Sequence, residues 1–227
     1  DVYKRQIFMK KTFLLSCLML AAMPVMAAYT GHVYVDKNKN GVFDQSEKPL
    51  AGIKVSDGLN VVETAADGSF TLPGHERERF IFITTPSGYK TFNRHYHKIE
   101  KKQSGYDFGL IPYSGRIRKD GSHRYIHITD TEIFNTENHA DWVNNVRDYA
   151  RNEQAAFIIH TGDICYEKGL KAHIKLMNTE NMDCPVFYCI GNHDLVKGKY
   201  GEELFESIYG PVYYLSLIHI SEPTRPY

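Results

Sequence analysis

Three short apolar runs in the second half of the chain each lead into polar side chains. The first run ends at Asp130, the second at Asp163, and the third at Asn192-His193-Asp194. Each run is typical of a short buried strand in a parallel sheet. The carboxyl ends of parallel strands meet at one edge of the sheet, where ligands of α/β proteins bind. The sequence therefore predicts that these five residues share one edge, which we call the rim.

The residue types at the rim favour a metal site that acts on phosphate. Carboxylate and amide oxygens are hard ligands for divalent cations, and an imidazole can donate a proton. Two cations held close together activate a water and bind phosphoryl oxygens. The alternative is three ordinary strand-end turns, in which Asp, Asn and Gly are common. Three such clusters on successive strands favour the metal site.

Helical periodicity follows each of these strands. Residues 138–152 place apolar and aromatic side chains on one helical face, and shorter patterns mark a second helix near 170–177 and a third near 204–208. Alternation of strand and helix predicts an α/β domain with a parallel sheet, which we assign to residues 124–214.

The preceding residues, 29–112, have a β pattern. Five short runs rich in β-branched and aromatic residues are separated by turn sequences; the runs are 31–35, 52–55, 60–64, 69–72 and 80–84. This spacing predicts a small β-sandwich with its own core. Residues 113–123 are polar and contain glycine, which predicts a linker.

One loop of the predicted sandwich has the spacing of a calcium-binding loop. Its candidate ligands are Asp36, Asn38, Asn40, Asp44 and Glu47. A strand precedes the loop and Pro49 follows it, so a helix–loop–helix motif is excluded. The stretch resembles the prealbumin-like repeat domains of bacterial surface proteins, which carry this loop between strands. The alternative is a solvated turn that binds nothing.

The rim motifs resemble the first three blocks of the calcineurin-like metallophosphoesterases. The resemblance rests on Ile128-Thr-Asp-Thr-Glu132, Gly162-Asp163 and Gly191-Asn-His-Asp194, and it covers about residues 124–214. The β module also resembles the N-terminal module of a secreted bacterial branch of that family. The resemblance implies an α+β multidomain protein, in which a prealbumin-like β-sandwich precedes the first part of a four-layer α/β sandwich.

The same resemblance implies a function and a role for each rim residue. The family hydrolyses phosphate esters with two divalent metals (Mn, Zn or Fe) and a metal-bound hydroxide. Asp163 would bridge the metals, with Asp130 on the first and Asn192 on the second. His193 would donate a proton to the leaving-group oxygen, and Asp194 would orient its ring.

Two residues depart from the usual family pattern. Glu132 stands where the first block usually has a histidine, and it can either ligate a metal such as Mn or Mg or point to solvent. Tyr166 follows Gly162-Asp163 at the spacing of the purple acid phosphatases, in which the tyrosine is a phenolate ligand to ferric iron. The alternative for Tyr166 is an ordinary hydrogen-bonded pocket tyrosine.

The predicted partner is a phosphate-ester substrate. The formal net charge of zero gives no argument for nucleic acid or an anionic membrane. One rival function is a catalytically degenerate phosphoesterase whose β-sandwich binds a glycan or a cell-surface protein. The other is a sensor that binds metal without turnover.

Both ends of the chain are predicted to be foreign to the fold. Residues 1–8 and 215–227 resemble translations of a sequencing adapter and its reverse complement, so we expect a truncated protein that is inactive as it stands. Residues 9–28 have the basic, apolar and small-residue regions of a signal peptide, which predicts export to the periplasm or cell exterior. Apolar residues continue past Cys17, which argues against a lipoprotein.

Overall fold

The computed structural model describes residues 28–75, 77–92, 94–103, 105–113 and 120–212. Both predicted adapter segments, the predicted signal peptide up to residue 27, and 114–119 of the predicted linker lie outside these residues. The described part has mixed α and β structure, with three sheets and few helices. None of the helices described is long and apolar enough to cross a bilayer.

Nine strands of the N-terminal module lie within the described residues, and they form two sheets. The strands are β1 (Ala28–Val35), β2 (Lys48–Pro49), β3 (Lys54–Ser56), β4 (Val61–Glu63), β5 (Ser69–Pro73), β6 (Phe80–Ile83), β7 (Tyr89–Thr91), β8 (Tyr96–Lys98) and β9 (Phe108–Pro112). One sheet has the order β2-β1-β9-β7, with β5 also paired to β1, and the other has the order β4-β3-β6-β8. All five predicted strands of this module are confirmed, with shifted ends.

The two sheets share one hydrophobic core. Val33 and Leu110 of the first sheet belong to the same buried cluster as Val55 and Ile81 of the second. Along β1 the buried side chains largely alternate with more exposed ones, because successive residues of a strand point to opposite faces. The module therefore has a core of its own.

The described part of the second module is built on three parallel strands. Its elements are β10 (Tyr125–Ile128), α1 (Ala140–Asn152), β11 (Phe157–His160), α2 (Glu167–Leu176), β12 (Val186–Tyr188) and α3 (Glu203–Tyr209). The sheet order is β10-β11-β12, and the last residues of the strands, Ile128, His160 and Tyr188, are partners in register. This register aligns the three carboxyl ends, so the loops that follow them leave from one edge. The predicted strands and helices are confirmed.

Two buried clusters hold this sheet and its helices together. Val143 and Ala150 of α1 pack with Ile158 of β11 in one cluster. Leu170 of α2 packs with Phe205 of α3 in the other. Among the described cysteines, Cys165 and Cys184 are buried and Cys189 is exposed.

Arg79 connects the two modules. Its Nη2 lies 2.9 Å from Glu206 Oε1 and 3.4 Å from Glu202 Oε2, and its guanidinium lies 4.6 Å from the centre of the Tyr200 ring. Burial raises the pKa of Glu206, while the positive charge of Arg79 acts in the opposite direction. The N-terminal module thus contacts residues 200–206, which follow β12 in the chain.

Candidate metal centre

The three loops that follow β10, β11 and β12 contact one another at the rim. The Asp130 backbone N–H donates to the carbonyl of Gly162 at 3.2 Å, and the His193 backbone N–H donates to Asp163 Oδ1 at 3.0 Å. A Cβ on Gly191 would lie 2.2 Å from the Asp163 nitrogen, so only glycine permits this approach. Asn192 is exposed on the third loop. The structure therefore brings the predicted residues to one rim, while their roles as metal ligands stay predictions.

Three acidic residues at the rim have a left-handed backbone. Their φ angles are 54° at Asp130, 47° at Glu132 and 49° at Asp163. A residue with a Cβ is rarely found in this region, and each instance costs on the order of 1–3 kcal/mol. Hydrogen bonds from neighbouring side chains must therefore stabilise the loops.

Asp194 provides the first of these stabilising contacts. Its side chain is fully buried, and Oδ1 accepts the backbone N–H groups of Ile164 (2.8 Å) and Cys165 (3.0 Å). Its Oδ2 accepts the Gly191 N–H at 2.8 Å. Burial raises the pKa of Asp194, while the three N–H groups act in the opposite direction. The carboxylate therefore joins the second rim loop to the third.

The contacts of Asp194 correct its predicted role. Both of its oxygens face backbone N–H groups, so they do not orient the His193 ring. Asn192, His193 and Asp194 lie in a single 3₁₀ turn, in which adjacent side chains diverge.

The partner of the His193 ring is Glu132. Glu132 Oε1 lies 2.6 Å from His193 Nδ1, and this hydrogen bond raises the pKa of His193, with smaller contributions from the charges of Asp163 and Asp194. The Tyr166 ring stacks on the His193 ring with centroids 4.8 Å apart and an interplanar angle of 22°. Glu132 therefore faces the imidazole rather than bulk solvent, and its role as a metal ligand stays a prediction.

His160, the last residue of β11, stabilises the first loop. Its ring is fully buried, and burial lowers its pKa to about 4, so it is neutral at pH 7. Nδ1 faces the Gly162 N–H at 3.3 Å, which leaves Nε2–H to donate to Thr131 Oγ1 at 2.9 Å. The Thr131 hydroxyl in turn donates to the Ile164 carbonyl at 3.2 Å. Thr131, between the strained Asp130 and Glu132, is thereby tied to the second loop.

Comparison with known proteins gives the family. A family model described as the N terminal of calcineurin-like phosphoesterase matches residues 37–112, and one described as calcineurin-like phosphoesterase matches residues 123–221. This chain belongs to the calcineurin-like phosphoesterases. Membership supports an enzyme that hydrolyses phosphate esters with divalent metals. Comparison with curated proteins found no match.

The donor set of this phosphoesterase suits divalent cations. Asp130 and Asn192 are exposed and Asp163 is half-buried, so oxygens from all three loops are accessible at the rim. Carboxylate and amide oxygens are the ligands that Mg²⁺ and Mn²⁺ prefer. The chemistry of the rim therefore agrees with the metal dependence of the family.

A second group that can hold a metal lies in the N-terminal module. Among the described residues, Asp57, His75 and Glu78 offer ligand atoms that all lie within 4.8 Å of one another. His75 Nδ1 accepts the Arg77 N–H at 3.2 Å, and Asp57 Oδ1 accepts the Asn60 N–H at 2.7 Å. A neutral imidazole that accepts a hydrogen bond at Nδ1 carries its proton on Nε2, so neither ring nitrogen of His75 offers a lone pair to a cation while that bond remains. A cation would have to displace these hydrogen bonds.

The predicted calcium loop is closed by its own side chains. The buried Asp36 accepts the Gly41 N–H at 2.9 Å, and the buried Glu47 accepts the Lys37 N–H at 2.8 Å. Asn38 Nδ2 donates to Asp44 Oδ2 at 2.7 Å. These bonds account for the folded loop, and calcium binding stays a prediction.

Calcium is expected to stabilise the protein through this loop. A ligand that binds only the folded state at about 100 times its Kd adds about 2.7 kcal/mol to the free energy of unfolding. Thermal melts in calcium and in chelator should therefore differ for the wild type, and much less for Asp44→Asn. Asp67→Asn, which changes an exposed aspartate in another turn, is the matched control. Identical wild-type melts in both buffers would leave the loop as a plain turn.

Asp194→Asn should destabilise the fold. The amide retains one oxygen, so its NH₂ group must face a backbone N–H that the carboxylate accepted. Because hydrogen bonds to a buried charged group are lost, the free energy of unfolding should fall by about 2 kcal/mol or more. Urea unfolding in chelator measures this free energy. The exposed Asp130→Asn is the control, and its free energy of unfolding should lie within about 0.5 kcal/mol of the wild-type value. Equal loss in both variants would contradict the assigned role of Asp194.

Proposed function

We propose that this protein hydrolyses phosphate esters with two divalent cations bound at the rim. The observation that carries the proposal is the direct hydrogen bond from the His193 backbone N–H to Asp163 Oδ1. It fixes the proposed bridging ligand beside the proposed proton donor, as hydrolysis of an ester requires.

Each loop contributes one part of the proposed centre. Asp130 would hold the first cation, Asn192 the second, and Asp163 both. When bound, the two cations would supply an activated water and neutralise charge on the phosphoryl oxygens. His193 stands at the edge of the rim, half-exposed, where its ring can reach a leaving-group oxygen.

The rim is a better site for these cations than the group of Asp57, His75 and Glu78, which we call the Asp57 group. Its oxygens are open to solvent on three loops, whereas Asp57 is buried and bonded to the turn that follows it. The Glu78 carboxylate likewise bonds the Tyr29 hydroxyl and the His75 N–H. The Asp57 group therefore acts as a link between strand ends of the N-terminal module.

We also infer the setting of this centre. The predicted signal peptide supports export, to the periplasm or the cell exterior. The two sheets of the N-terminal module, with their common core, support a prealbumin-like sandwich. The parallel sheet with its helices supports the first part of a four-layer α/β sandwich.

Asp163→Asn tests the bridging role. Replacing the carboxylate removes one negative charge shared by both cations, so in the complete protein bound metal and turnover should fall together, by about 100-fold in kcat. Metal content is measured by elemental analysis after dialysis, and turnover on an aryl phosphate. Asp183→Asn, which changes an exposed aspartate outside the rim, should behave as wild type. Full metal content and wild-type turnover in Asp163→Asn would refute the assignment.

Tyr166→Phe tests the identity of the metals. If the Tyr166 phenolate ligates ferric iron, the iron-loaded wild type should show a visible charge-transfer band that this variant lacks. The phenylalanine retains the stacked ring against His193, so the band isolates the oxygen. A colourless active enzyme that contains manganese or zinc would instead make Tyr166 a stacking residue only.

A further inference from the structure

We propose that Glu132 is a positioning residue for His193, whose ring it orients so that Nε2 faces the leaving-group oxygen. This inference rests on the proposed function, because it assumes an ester at the rim. It gives Glu132 a task other than the metal ligation predicted from its sequence position.

The first observation is the short bond between the two side chains. Glu132 Oε1 lies 2.6 Å from His193 Nδ1, and an ionised carboxylate can only accept, so Nδ1 is the donor. Nε2 is then the ring nitrogen left for a substrate. A carboxylate that fixes the tautomer and direction of an imidazole is a recurring arrangement for proton transfer.

Other contacts restrict the pair to this geometry. The Tyr166 ring covers one face of the imidazole, and the backbone of His193 is bonded to Asp163 Oδ1. On the other side, the hydrogen bonds of Thr131 to His160 and Ile164 fix the backbone next to Glu132. Both members of the pair are therefore supported by the rim loops themselves.

The pair acts in one step, the protonation of the leaving-group oxygen. As water adds its hydroxide to phosphorus, the bond to the ester oxygen breaks and Nε2 gives its proton to that oxygen. The second proton of the water returns to the ring through solvent. Glu132 keeps its bond to Nδ1–H throughout, so it transfers no proton.

Leaving groups of different basicity test the proposal in the complete, metal-loaded protein. An alkyl phosphate needs a proton on its leaving oxygen, whereas 2,4-dinitrophenyl phosphate releases a stable anion. Glu132→Ala should lower kcat on the alkyl ester by about 10- to 100-fold and change kcat on the dinitrophenyl ester by about threefold or less. Glu132→Gln, which retains an acceptor, should lose less.

Two further variants complete the kinetic test. In a His193→Ala background, adding Glu132→Ala should cause no further loss, because residues that act as a unit are not additive. Glu137→Gln, which changes an exposed glutamate in the same loop, should match the wild type. Equal loss on both esters, together with loss of bound metal in Glu132→Ala, would make Glu132 a metal ligand and overturn the proposal.

A readout without turnover separates this inference from the proposed function. In metal-free protein, proton NMR should show a slowly exchanging ring N–H of His193 that disappears in both Glu132→Ala and His193→Ala. If the complete protein hydrolyses neither ester, the proposed function fails, and this resonance alone decides whether Glu132 orients the ring. A His193 N–H that is unchanged in Glu132→Ala would overturn the positioning role.

Discussion

The geometry of the rim depends on one buried carboxylate. Asp194 accepts backbone N–H groups from Ile164, Cys165 and Gly191, which lie on two different loops. A buried charge is costly unless hydrogen bonds satisfy it, so the carboxylate and the loops stabilise one another. If the loops separated, three N–H groups and a charge would lose their partners at once. This mutual dependence makes the relative position of the second and third loops a property of the fold.

The same contacts explain how strained residues persist at the rim. Asp130, Glu132 and Asp163 all have positive φ, a backbone region that few residues with a Cβ adopt. Gly162 and Gly191 let the loops approach within hydrogen-bonding distance, since a Cβ on Gly162 would lie 2.5 Å from the Gly191 nitrogen. Backbone strain of this kind is stable only where the surrounding structure over-determines it, and such places are commonly functional sites.

The sequence predicts the elements well and the partners of the side chains poorly. Strands and helices follow from local periodicity, and the convergence of Asp130, Asp163 and His193 follows from the parallel sheet. The family resemblance implied that Asp194 orients His193, whereas the 3₁₀ turn sends the two side chains to different partners. The actual partner, Glu132, lies 61 residues away and becomes visible only once the first and third loops are placed. The contact of Arg79 with Glu206 likewise needs the relative position of two modules, which no local pattern contains.

His193 combines two constraints that act on different atoms of one residue. Its backbone N–H is bonded to Asp163, so the proposed donor and the proposed bridging ligand keep a fixed separation. Its ring is oriented by Glu132 and covered by Tyr166, so the direction of Nε2 is set by the first and second loops. Moving any one of the three loops therefore changes the direction of the ring or its distance from Asp163. A misplacement of about 1 Å can lower a rate by about 100-fold. The proposed hydrolysis therefore requires the same loop geometry that these hydrogen bonds stabilise.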